Sequence, residues 1–204
     1  MVLILAVFVP VIFFHFDNET VVEIDNRSDW EVYTNQEYGF SLEHPPEWRV
    51  VDLSDHELVP KFHLLSSEIE DIDSESLTHH SDIPNVSIFP QGYPTEGIFG
   101  EPRPSQVNFG DGIEEATDFL LSNGEVWATM LTLDSRPDGW NEYGFIWSRV
   151  SVDNFRTLCF EDGEEIDRDR CDPALGHEIR HRGQMNLLEQ RVHREILRSF
   201  DILE

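Results

Sequence analysis

Apolar and polar residues alternate along much of the chain, and that alternation predicts strands. Trp30-Glu-Val-Tyr-Thr alternates, and Asn35-Gln36-Glu37 turns the chain. Tyr38, Phe40 and Leu42 then fall on one face of a second strand, which Pro45-Pro46 stops. Trp48 to Leu53, Phe62 to Leu65 and Asn85 to Phe89 read as further strands. Between them, residues 66–82 are polar and acidic, which predicts a loop. Residues 90–112 hold four Pro and five Gly, which predicts a long irregular connection.

The period changes twice. From Gly112, the residues Ile113, Ala116, Phe119 and Leu120 recur at helical spacing and Asn123-Gly124 follows, which predicts a helix over 112–121. Near the C-terminus Leu187, Leu188, Val192, Ile196 and Leu197 predict a second helix. Between the two, residues 125–133, 143–152 and 155–160 read as strands, with a turn at Arg136-Pro137-Asp138-Gly139. Strands and helices in this order, with short connections, predict an α+β domain. Its sheet is mainly antiparallel and flanked by helices.

Residues 1–16 stand apart. Met1 to Phe14 are almost wholly apolar, too few to span a bilayer, which takes about 20 residues. There is no basic n-region and no small-residue cleavage site. The segment is expected to be an atypical signal or short anchor, with 17–28 as a polar linker and 29–204 as the folded domain. Cys159 and Cys171 are expected to form a disulfide closing a hairpin around Asp162-Gly163. Export and a disulfide agree with each other.

Charge narrows the partners. There are 41 acidic against 14 basic residues, for a net charge of −27, and Lys61 is the single lysine. Such a field repels nucleic acid and anionic lipid. The acidity fits a solvated, salt-adapted surface; its sharper alternative is calcium or another divalent cation held by clustered carboxylates. The acidic run Asp162 to Asp172 lacks EF-hand spacing, and His79-His80 reads as a solvated loop pair.

One motif suggests chemistry. His177-Glu178-Ile179-Arg180-His181 matches H-E-x-x-H, which on a helix places two zinc ligands one turn apart and a carboxylate to activate water. Glu189, His193 or Glu195 would supply a third ligand. Against this, Arg180, Arg182, Gly176 and Gly183 make a poor buried helix. The segment reads equally well as a strand, whose i and i+4 side chains are about 13 Å apart and share no zinc. There is no phosphate loop, dinucleotide fingerprint or nucleophile elbow.

Two short stretches carry a family likeness. Tyr38-Gly39-Phe40-Ser41-Leu42, with Pro45 and Trp48 after it, resembles the opening of PsbP-like domains. Glu195-Ile-Leu-Arg-Ser-Phe-Asp-Ile202 resembles their closing helix. The likeness implies an α-β-α sandwich around an antiparallel sheet, with 177–184 as the strand before the last helix. It carries over no catalytic residue. The expected function is therefore a non-enzymatic, extracytoplasmic accessory module that binds a protein partner or a cation, with Trp30, Tyr38, Phe40 and Trp48 in its core. The alternative is a small zinc hydrolase using His177, His181 and Glu178.

Overall fold

The structure is a computed structural model, and it describes residues 27–54, 60–66, 84–92 and 101–203. Thirteen strands form three antiparallel sheets among these residues. The largest holds seven strands in the order β3-β4-β5-β9-β8-β7-β6. These are β3 (Trp48–Asp52), β4 (Phe62–Ser66), β5 (Asn85–Phe89), β6 (Glu101–Pro104), β7 (Ile113–Leu120), β8 (Val126–Leu133) and β9 (Phe145–Arg149). A second sheet pairs β1 (Glu31–Asn35) and β13 (Asp201–Ile202) on either side of β2 (Phe40–His44). A third pairs β11 (Glu164–Ile166) and β12 (Glu178–Met185) on either side of β10 (Val152–Glu161). One α-helix is described, α1 (Leu187–Arg198).

Alternation in the central strands gives the large sheet two buried faces. Phe62, Leu64, Val86, Ile88, Leu131, Leu133 and Ile146 point to one side. There they meet Phe40 and Leu42 of β2 and Ile196 and Leu197 of α1. Phe89, Phe119, Ala128 and Trp147 point to the other side and join Val152 and Phe155 of β10. Burying both faces explains why β5 is closed to solvent at every position. Tyr38, Phe40 and Trp48 are core residues as expected, and Trp30 packs at the margin.

The helix-flanked α+β sandwich expected from the sequence is not what forms. The described residues are mostly antiparallel sheet, and α1 is their single helix. The error lies at 112–121, expected as helix and found as β7. A register shift between Ile113 and Glu115 inserts an extra residue into the ladder with β8. Ile113 and Ala116 therefore both reach the core side, opposite Leu133 and Leu131. A bulge turns the period of two into an apparent period of three, and that imitates a helix. Asn123-Gly124, read as a helix stop, instead forms the tight turn from β7 into β8. Gly124 is at φ 86°, Gly124 N donates to Leu121 O at 2.8 Å, and Leu121 N donates to Glu125 O at 2.8 Å. The 90–112 connection also contains β6, which pairs with β7.

Candidate functional site

Helix α1 buries an unusual face. Asn186 caps it, its side chain accepting from Leu188 N at 3.0 Å. Leu187 and Leu188, expected in the core, are exposed, while Gln190 and His193 are buried beside Ile196 and Leu197. Both buried polar side chains bond to the sheet, although Nε2 of His193 is left without a hydrogen-bond partner. Gln190 Nε2 donates to Val126 O at 2.6 Å. His193 Nδ1 is 2.9 Å from Ser148 Oγ on β9. Glu189 Oε1 accepts from Ser151 N at 2.9 Å and lies 3.7 Å from His193 Nε2. Thr129, paired with Ser148 across the β8–β9 ladder, donates Oγ1–H to the buried carboxylate of Asp118 at 2.9 Å. A cavity of about 10 Å³ lies among Thr129, Ser148, Gln190, His193 and Arg194.

Serine, histidine and carboxylate in sequence are the parts of a nucleophile relay. The geometry does not assemble one. Ser148 and His193 are 4% and 1% exposed, so no substrate reaches them. The cavity is about the size of one water molecule. The Trp48 ring packs edge-on to His193 at 5.1 Å. Burial pushes the imidazole down to about 3, too weak a base for general-base work at neutral pH. That also makes the 3.7 Å contact with Glu189 a dipole–charge contact, since His193 carries no charge there.

A second polar row lies on the opposite face of the sheet. His63 Nδ1 is 2.7 Å from Ser87 Oγ, and Ser87 Oγ donates to Asn85 Oδ1 at 2.8 Å. The serine proton is thus directed to Asn85, and Nδ1–H of His63 donates to Ser87. Nε2 of His63 is left as a buried acceptor with no hydrogen-bond partner. Burial, with the charges of Lys61 and Arg149, pushes His63 to about 3. Ser87 is therefore held as a packing group, and His63 does not activate it.

The H-E-x-x-H segment is strand. Glu178 to His181 lie in β12, with His177 just before it. Extended chain from Glu178 onward does not bring side chains four residues apart onto one helical turn, and the two histidines have separate partners. His177 Nδ1 accepts from Asp172 N at 3.0 Å, and its Nε2 is 3.7 Å from Glu161. Glu178 is held by Arg180 through two hydrogen bonds of 2.8 Å, which lower its pKa. His181 is buried, stacked on Phe155 at 4.8 Å and edge-on to Trp127 at 5.3 Å. Glu189 and His193 belong to the α1 network, and Glu195 pairs with Arg198. No group of three His, Cys, Asp or Glu among the described residues could hold a metal ion. His79-His80, residues 1–16 and residues 17–26 of the linker lie outside the described residues.

Cys159 and Cys171 form a disulfide with Cα atoms 5.8 Å apart. It staples the β10–β11 hairpin to the two 3-10 turns that follow. Two of the acidic residues in that loop cap those turns: Asp167 accepts from Asp169 N at 3.3 Å and Asp172 from Ala174 N at 2.9 Å. Sequence reasoning missed Ser148, Thr129, Asp118 and Arg194. Their proximity depends on β7–β8–β9 pairing, and the Asn123-Gly124 hairpin signal was the clue available. No family model, no curated protein and no solved structure matches the chain.

Proposed function

We propose that the chain is an extracytoplasmic, non-catalytic binding domain, secreted or anchored through its apolar N-terminal run, that recognises a protein partner or a cation. The Cys159–Cys171 bridge carries this reading. Stable disulfides belong to oxidising compartments. The closed state of both serine–histidine pairs supports a non-catalytic role, because neither offers a reacting atom to solvent. The short stretches that resemble PsbP-like domains support an accessory role; the helix-flanked sandwich they implied has no part in it.

The test expresses the full chain in a bacterium and traps thiols with a maleimide polymer at lysis. In parallel, intact spheroplasts are treated with an added protease. No free thiol and digestion by external protease are expected. Two reactive thiols with full protection would overturn the reading. So would zinc-dependent peptide hydrolysis by the purified protein that disappears in Glu178→Gln.

A further inference from the structure

Cations are scarce in this chain, with 14 against 41 acidic residues. Three of them nevertheless converge beside the α1 network. Arg194 and Arg198 are one turn apart on α1, and Arg103 on β6 sits directly opposite Asp118 of β7. Cross-strand partners leave the sheet on the same face, so Arg103 projects toward the helix. Arg103 and Arg198 both repel the charge of Arg194, while Asp118 attracts it. The carboxylates nearby are committed. Glu195 pairs with Arg198, and Asp118 is buried and accepts from Thr129 Oγ1. Arg194 is half-buried and lines the cavity, and its guanidinium makes no hydrogen bond or ion pair among the described residues. The negative end of the helix dipole accounts for Arg198, in the last turn. It does not account for Arg103, which is on a strand.

We infer that Arg194, flanked by Arg103 and Arg198, forms a binding site for an oxyanion group, a carboxylate or a phosphate. A guanidinium presents a planar fork of donors that matches two oxygens at once. The surrounding negative field excludes diffuse anion binding, so the site selects by geometry and by direct hydrogen bonding. The site depends neither on export nor on the disulfide, so its failure and that of the proposed function are separable.

The test titrates the oxidised full chain with sodium acetate, sodium phosphate and sodium chloride at constant ionic strength, following arginine Nε–H resonances. A saturable shift at Arg194 with acetate or phosphate, and none with chloride, is expected; the ratio of the two affinities identifies the preferred oxyanion. Arg194→Gln should weaken binding by about tenfold or more, because it removes a charge-assisted hydrogen bond. Arg168→Gln, in the distant stapled loop, should bind like the parent. If Arg194→Gln fails to fold, Arg103→Gln at an exposed strand position replaces it, with weakened binding expected. An equal response to chloride, or parental affinity in the folded variants, would overturn the site.

Discussion

His193 shows how one residue couples packing to pH. Its ordinary value of 6.5 falls to about 3 through burial, and His63 behaves alike with help from Lys61 and Arg149. Between those pH values the unfolded chain binds a proton on each ring and the folded chain does not. Stability therefore rises with pH across this window; it is complete above about 6.5 and declines as pH falls toward 3. From pH 6.5 to 4 the loss is on the order of 3 kcal/mol for each ring. Urea unfolding at a series of pH values should show this fall, and His193→Gln should show a shallower one. An unchanged slope in the variant would mean that His193 is protonated in the native state. None of this was legible in the sequence. There His193 was a candidate zinc ligand, and the Leu187-Leu188 pair looked the better core face of its helix. What separates the readings is the partner set Ser148, Trp48 and Glu189, which sequence does not place beside it.

At the scale of elements, legibility followed local regularity. Strands with clean alternation, such as Phe40–His44 and Asn85–Phe89, were read at nearly their observed bounds, as was α1. So was the Cys159–Cys171 pairing. Elements bent by bulges were not. β7 looked helical because its shifted register spaces apolar residues by three, and β12 stayed ambiguous because H-E-x-x-H fits either period. Gly183 makes the point sharply. In a helix it would be a terminator, yet it lies inside β12 where β10 passes close by, beside the register irregularity between Asp153 and Arg156. A Cβ there would collide with Val152 Cγ1 and come 2.9 Å from Asp153 O. Gly183→Ala should therefore destabilise the fold by roughly 1–3 kcal/mol through overpacking, seen as a lower thermal midpoint. Gly176→Ala isolates the backbone effect instead: nothing lies within 4 Å of its added Cβ, and its φ of 87° alone should cost about 1–2 kcal/mol. Equal midpoints for the Gly183 variant and the parent would show that β10 yields there at no cost.

The whole molecule is where sequence reading lost most. β5 pairs with β9, and the C-terminal β13 returns to β2; both pairings join distant segments and leave no local trace. Net charge, by contrast, was fully legible, and it sets a molecule-wide property that no single contact controls. A charge of −27 on a chain of 204 residues stores self-repulsion in the folded state that unfolding relieves. Screening weakens that repulsion: the Debye length falls from about 10 Å at 0.1 M salt to about 3 Å at 1 M. Raising sodium chloride through that range should therefore lift the thermal midpoint, by about 3–8 °C if one to two kcal/mol is recovered. The shape of the response separates the two readings of the acidity. A smooth rise continuing to molar salt, equal for sodium and potassium, means a screened surface adapted to salt. A sharp rise at micromolar calcium that sodium cannot reproduce means that carboxylates converge on a specific cation, because only a bound ion stabilises in proportion to its own concentration over its dissociation constant. A flat response to both would mean that the charges are already far enough apart in the fold for their repulsion to be negligible.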